Sequence, residues 1–323
     1  MAALAGLAVR RFLFRLRHPK RTFIKIWSAF LALVSVLFVF LFIKWKAVSD
    51  AGGQIRQEPF KIAGNLYYVG TKDVTSFLIT SSKGHILIDG GYPGTPDLIL
   101  ENIKLLGFKA SDIKILLNSH AHLDHAGGLA ALQKKTGATL WISEPDAATI
   151  RAGGANSRNM GIMNFLVYTG LARFPAPHID HTFKDGEKII LDSMELTGYI
   201  TPGHTPGCTT WAFTVRENNQ ALPVVIVGSL TLLPVSLFGE KYDSLQQAQF
   251  QQSFRKLRSL PVAIFLASHG NMFHLVDKIQ KRKGLPAHVN PFIDSSGYYD
   301  YIESAEKQFD KAIQEQKRKQ KKP

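Results

Sequence analysis

Residues 118–128 read Asn-Ser-His-Ala-His-Leu-Asp-His-Ala-Gly-Gly, directly after a compact apolar run at Asp112–Leu117 of the kind a buried strand shows. Three of the chain's eleven histidines fall here within six residues, in the pattern H-x-H-x-D-H. In extended backbone residues i and i+2 point the same way, so His120 and His122 can present two imidazoles to one metal ion. As the chain turns into the next helix, Asp124 and His125 can face a second ion nearby. Nitrogen and oxygen donors at this density suit zinc. Four donors do not complete two catalytic sites, each of which needs about three protein ligands and an open position. Two more candidates stand beside glycine at strand-to-loop junctions, His204 in Thr201-Pro-Gly-His-Thr-Pro-Gly207 and His269 in Leu266-Ala-Ser-His-Gly270. Glycine there lets the backbone turn tightly and brings the imidazole to a strand edge.

Around this segment strands alternate with helices. Asn65–Gly70, Thr75–Thr80 and His85–Asp89 read as short strands, and a helix opened by Thr95 or Asp97 is closed by Gly107. Gly127–Lys135 reads as helix and Thr139–Ile142 as strand. Further strands are expected at Lys188–Leu191, Met194–Ile200, Thr209–Val215, Val224–Val227 and Val262–Ala267, with helices at Ser244–Arg258 and Ser304–Lys319. This pattern predicts an α/β class domain, a layered sandwich of two sheets. Gly153–Pro177 is apolar without a clean period and fits either a loop over a cleft or an irregular core helix. The remaining histidines, His18, His85, His178, His181, His274 and His288, read as structural or solvated. Cys208 is the single cysteine, which excludes an intrachain disulfide and a Cys-rich zinc finger; it reads as packed, not reactive.

The formal net charge of +14 sits at the ends. Residues 1–49 hold nine Lys/Arg and no acid, and residues 317–323, KRKQKKP, hold five and no acid, which leaves 50–316 neutral. The body therefore lacks the basic footprint of a phosphate-backbone binder, and no nucleic-acid partner is expected. Ile26–Ile43 is an uncharged stretch of 18 residues, long enough to cross a bilayer, with seven basic residues before it. It reads as an uncleaved transmembrane anchor that leaves the C-terminal body of the chain outside the cytoplasm. The competing reading is a signal peptide cleaved after Ser49, where Ala47-Val48-Ser49 offers small residues. The expected organisation is a basic cytoplasmic flank at 1–25, the span at 26–43, a linker at 44–57, a catalytic domain at 58–316 and a basic tail at 317–323.

GNLYYVG at 64–70, LIDGG at 87–91, SHAHLDHAGG at 119–128, TPGHTPGCTTW at 201–211 and SHG at 268–270 together resemble the metallo-β-lactamase superfamily, over almost the whole body. The resemblance implies an αββα four-layer sandwich with metals at one edge of two sheets. Relatives such as thioesterases, lactonases and tRNA-maturation nucleases usually carry a bridging aspartate after the third histidine motif. Here no acid occurs between Glu217 and Glu240, and Ser229 stands in its place. That serine, His125 after Asp124, the long TPGHTPGCTTW motif and the segment Asn290–Tyr298 resemble the third subclass of class B β-lactamases. The resemblance then implies two Zn2+ per chain, the first on His120, His122 and His204, the second on Asp124, His125 and His269. It further implies that Asp124 orients a hydroxide held by both ions, that this hydroxide opens a β-lactam amide, and that Ser229 and Thr231 meet the substrate carboxylate. Asp89 is expected either to support the metal loop from behind or to cap the turn beside Gly90 and Gly91. The expected protein is a monomeric β-lactamase, tethered in the inner membrane with its catalytic domain in the periplasm, or periplasmic or secreted if cleaved. Two alternatives are another two-zinc hydrolase, a lactonase or thioesterase, and a non-catalytic membrane-tethered zinc-binding protein.

Overall fold

The structure is a computed structural model and describes residues 19–155, 173–232, 244–286 and 288–320. The chain divides into two compact units, Met1–Ala51 and Gly52–Pro323. In the first, helix α1 (Pro19–Gln54) contains a 21-residue stretch, Phe23–Ile43, of mean hydropathy 2.7. The side chains of that stretch are exposed, so it serves no protein core, and it is long and apolar enough to cross a membrane. The helix continues through residues 44–54, where the sequence suggested a linker.

The second unit begins with strands β1 (Phe60–Ala63), β2 (Leu66–Tyr68), β3 (Phe77–Ser81) and β4 (Gly84–Ile88), paired antiparallel in succession. The same sheet continues in parallel through β5 (Ile113–Leu117), β6 (Thr139–Ser143) and β7 (His181–Phe183). Alternation along these strands divides two cores. Phe77, Ile79, Ile86, Ile88, Ile115 and Leu117 face the second sheet, while Leu78, Leu87, Leu116, Leu140 and Ile142 face helices α2 (Pro96–Leu105) and α4 (Leu129–Thr136). The second sheet runs β12-β11-β10-β9-β8, from β8 (Glu187–Leu191), β9 (Met194–Ile200), β10 (Thr209–Glu217), β11 (Gln220–Val227) and β12 (Ile264–Ala267). Aromatics of α6 (Ser244–Arg258) and α8 (Ser296–Gln320), Phe250, Phe254, Tyr298 and Phe309, cover it. The architecture is the αββα sandwich.

The differences from the sequence reading have local causes. β1 and β7 were not expected: they have four and three residues, edge the first sheet, and are too short for alternation to register. The expected helix at 127–135 is α4, and a short unforeseen helix, α3 (Leu123–Ala126), precedes it, because Ala126 N–H donates to the His122 carbonyl and starts a turn within the histidine segment. Helices α5 (Ala147–Arg151) and α7 (Leu275–Gly284) were also unforeseen. Of the apolar stretch 153–177, residues 156–172 lie outside the described residues; at its ends Phe174 N–H donates to the Gly153 carbonyl.

α8 starts at Ser296, eight residues before the sequence suggested, because Asp294 precedes it. Asp294 Oδ1 accepts from Gly297 N–H, one of the otherwise orphaned backbone donors of the first turn, and from the Ser296 hydroxyl. Its Oδ2 lies 3.1 Å from Nζ of Lys278, a buried lysine of α7. Partial burial works against the Asp294 charge, but the cap bonds and Lys278 prevail and lower its pKa to about 2. A depressed carboxylate contributes stability above its unfolded pKa of about 3.9 and loses it as pH falls. Lys278→Met is expected to cost about 1–3 kcal/mol at pH 7, a difference from the parent chain that shrinks between about pH 4 and pH 2. Denaturant unfolding of both chains across that interval measures it, and a pH-independent difference would remove the ion pair from this role.

Candidate metal centre

Every candidate donor leaves a sheet at the same edge. Asp89 follows β4, His120 and His122 follow β5, His204 lies between β9 and β10, and His269 follows β12. In parallel strands the carboxyl ends open into a crevice, and both parallel pairs flanking the site, β4–β5 and β11–β12, end here. His204 and His269 depend on their glycines for different reasons. Gly203 has φ +132°, a turn open to glycine. Gly270 does not; a Cβ there would meet Leu275 Cδ2 at 2.9 Å and Lys72 O at 3.0 Å, so glycine permits close packing instead of a turn.

The donors form two adjoining groups. His120, His122 and His204 place ligand atoms within 4.8 Å of one another, all three side chains buried. In the second group Asp124 Oδ2 lies 3.2 Å from His125 Nε2 and 3.3 Å from His269 Nε2, and the two nitrogens are 3.2 Å apart. Ligands at about 2.1 Å around a tetrahedral ion stand roughly 3.4 Å from each other, so this triangle already has the size for one. The rings of His120 and His125 bring the groups together, centroids 4.2 Å apart.

Around them, outer contacts fix the imidazoles. Asp89, at φ +65°, accepts from Asn118 Nδ2, Ser119 N–H, Ser119 O–H and His125 Nδ1. Since the Ser119 hydroxyl gives its proton to Asp89, it accepts from His120 Nδ1 at 3.0 Å. His204 Nδ1 donates to the Thr231 carbonyl at 2.7 Å. In His120 and His204 the engaged Nδ1 leaves Nε2 with its lone pair inward. His122 keeps a buried Nε2 without a hydrogen-bond partner. Orphaned and convergent nitrogens of this kind fit a divalent cation.

Three supporting residues escaped the sequence reading. Asp146, buried after β6, accepts from Ala121 N–H, Thr205 O–H and Gly207 N–H, and so joins the His120–His122 segment to the His204 loop. Asp73 lies 3.5 Å from His269 Nδ1. Tyr301 of α8 accepts from Leu230 N–H, bracing the turn that carries Ser229 and Thr231. Ser229 itself is 1% exposed and its hydroxyl accepts from Thr231 N–H, so Thr231 presents the accessible hydroxyl of the pair. Cys208 is buried, its thiol donates to the Ser229 carbonyl, and burial pushes its pKa up, so it is a packed residue. His85 packs edge-on to Phe108 and His181 stacks on Trp141; neither belongs to the two groups.

The groups differ in charge. Burial, reinforced by neighbouring imidazoles, holds His120 and His204 well below the usual histidine range, and burial lowers His122 to about 4. In the second group burial also opposes charge, but Asp124 and Asp89 overcome it and raise His125 to about 10. For Asp124 burial is outweighed by His125 and His269, which hold its carboxyl well below the usual range.

The family model for the metallo-beta-lactamase superfamily matches residues 69–269. The native FEZ-1 metallo-beta-lactamase from Legionella gormanii superposes with a TM-score of 0.75 at 35% identity, covering 81% of this chain and 98% of that one. BJP-1, a subclass B3 metallo-beta-lactamase of Bradyrhizobium japonicum, does so with a TM-score of 0.74 at 31% identity, covering 84% and 100%. Among curated relatives, the N-acyl homoserine lactonase AttM of Agrobacterium fabrum is 29% identical over 49% of this chain and 66% of its own length. The hydroxyacylglutathione hydrolase GloC of Haemophilus influenzae is 28% identical over 41% and 57%. The chain thus spans less than two thirds of these curated relatives.

A ligand imidazole must be unprotonated. Uptake of a divalent cation by Asp124, His125 and His269 therefore displaces the His125 proton at pH 7, and affinity there rises with pH toward about 10. The first group, neutral already, gains little over the same range. Calorimetric titration of the metal-free chain with zinc, in buffers of different ionisation enthalpy, is expected to show proton release in one binding phase and almost none in the other. Equal release in both would contradict the charge asymmetry.

Proposed function

The chain belongs to the metallo-beta-lactamase superfamily, and from that premise we propose that it is a zinc-dependent β-lactamase held at a membrane by its N-terminal helix. What carries the reading is the pairing of two donor groups, three histidines beside an Asp-His-His set, with Ser229 where other superfamily hydrolases place a bridging acid. The solved structures it resembles over nearly their full length, FEZ-1 and BJP-1, are metallo-beta-lactamases, which supports the same substrate class. His120, His122 and His204 would hold one zinc, and Asp124, His125 and His269 the other. When bound, the pair supplies a water of lowered pKa and a Lewis acid for the lactam carbonyl.

The chain's own residues set the geometry. Asp124, kept ionised by His125 and His269, accepts a hydrogen bond from the attacking water and orients its lone pair toward the carbonyl carbon. Asp89 holds His125 and, through Ser119, His120, so both groups share one anchor. The Thr231 hydroxyl donates to the substrate carboxylate, and Ser229 shapes the turn that presents it. The apolar stretch Phe23–Ile43 anchors the protein in the inner membrane with the sandwich on the periplasmic side, opposite the basic flank, unless cleavage after Ser49 frees it. We take the active form as a monomer, since all six donors come from one chain.

A second reading, a lactonase or thioesterase, is favoured by the curated relatives AttM and GloC. Substrate trials separate the two. The full chain, purified in detergent and loaded with zinc, is expected to open a penicillin and a carbapenem, to stop on chelation and to resume when zinc returns. A folded chain that holds two zincs and opens neither overturns the β-lactamase reading, and a lactone and thioester panel comes next. Asp124→Ala is expected to lower kcat/KM by more than the roughly 10–100-fold that losing an outer hydrogen-bond partner costs; unchanged activity removes Asp124 from its role. Thr231→Ala keeps the carbonyl that His204 needs and removes only the hydroxyl, so KM for a carboxylate-bearing β-lactam is expected to rise about tenfold with kcat little changed. A fall in kcat alone would reassign Thr231.

A further inference from the structure

The sandwich carries one more feature that the metal site does not use. α7 ends in Lys281-Arg282-Lys283, all exposed, and the segment after it exposes Leu285, Val289 and Ile293 at 39%, 40% and 43%. Between Asp277 and Asp294 there is no acid, in a body that is neutral overall. Cations beside exposed aliphatic side chains make an amphipathic surface of the kind that lies on a lipid interface. The patch also has a definite place in the fold. Arg282 donates to the Lys61 carbonyl and stands over the Phe60 ring, Asn290 Nδ2 donates to the Ile62 carbonyl, and Phe292 packs on Phe60 with centroids 5.3 Å apart. It therefore runs along β1, the first strand reached after the apolar helix ends at Gln54.

We propose that residues 281–286 and 288–293 dock the sandwich onto an anionic bilayer, Lys281 and Lys283 meeting lipid phosphates while Leu285, Val289 and Ile293 enter the interface. The proposal rests on the reading of Phe23–Ile43 as a membrane span. Sixteen residues of sequence separate Ile43 from Phe60, so a bilayer that holds the span is covalently tethered to the strand the patch borders. A contact too weak to bind a free domain is sufficient once a tether makes it intramolecular. A second copy of the chain is the poorer occupant. A two-fold contact would set the same three cations against themselves, and three half-exposed aliphatics give far less area than a stable dimer needs.

The test uses the full chain reconstituted in lipid nanodiscs, with Val289→Cys carrying an environment-sensitive fluorophore; the native Cys208 is buried and does not compete. Lys134→Cys, on the exposed side of α4, is the reference site. In discs containing phosphatidylglycerol the label at 289 is expected to shift to the blue and to be quenched by spin-labelled lipid at least about twofold more than in phosphatidylcholine discs, with no such difference at 134. K281E/K283E, which leaves Arg282 and its contacts in place, is expected to abolish the difference. Equal quenching in both lipids, or quenching that survives the charge reversal, overturns the proposal, as does energy transfer between copies without lipid quenching, which would make this face a dimer contact. Failure of the chain to assemble with discs would instead sink the span; the labelled chain is then mixed with anionic vesicles, where an unshifted emission overturns the docking surface independently.

Discussion

Asp89 sits where two parallel strands stop, and its buried carboxylate takes four donors. Its backbone N–H still belongs to the sheet, donating to the Leu117 carbonyl, while its side chain already belongs to the site. The positive φ makes that change of role possible, and a short acidic side chain tolerates such a conformation better than most. Asn118, Ser119, His120 and His125 are all positioned from this one carboxylate, directly or through Ser119. Burying imidazoles at a sheet edge is costly unless the nitrogens that do not face inward have partners. Asp89 supplies them for one side of the centre, Asp146 for the backbone that carries the other side, and Asp73 for His269.

How far this is readable from the sequence depends on the nature of each contact. The six candidate donors are legible because imidazole is a scarce, chemically specific group, and four of the six lie in one short segment. Their convergence from three separate loops is an inference from glycine-flanked histidines, and the distances among Asp124, His125 and His269 accord with it. Asp146 and Asp73 are not legible. Asp146 recognises two backbone N–H groups and a threonine, none of which leaves a pattern in the sequence, and Asp73 lies in a loop with no period. The long strands, Met194–Ile200 above all, are readable because alternation is visible over seven residues. β1 and β7 offer three or four. Thr231 attracts notice in the sequence for its hydroxyl; it is its carbonyl that accepts from His204 Nδ1 and so fixes the tautomer of that ring.

The C-terminal helix shows how a distant element reaches the site. α8 reads as an ordinary amphipathic helix whose aromatic side chains cover the second sheet. Tyr301 nevertheless directs its hydroxyl to the Leu230 N–H, and that same turn carries the Thr231 carbonyl bonded to His204. The start of α8 is in turn held by Asp294, which pairs with buried Lys278 of α7. A continuous path of named contacts thus runs from an ion pair remote from the metal groups to the ring orientation of one imidazole. Nothing in this path requires movement. It works by removing alternatives, since a Leu230 N–H without Tyr301 would be left unpaired or would let the turn relax. The helix therefore adds precision to the His204 side of the centre, where Asp89 has no direct contact.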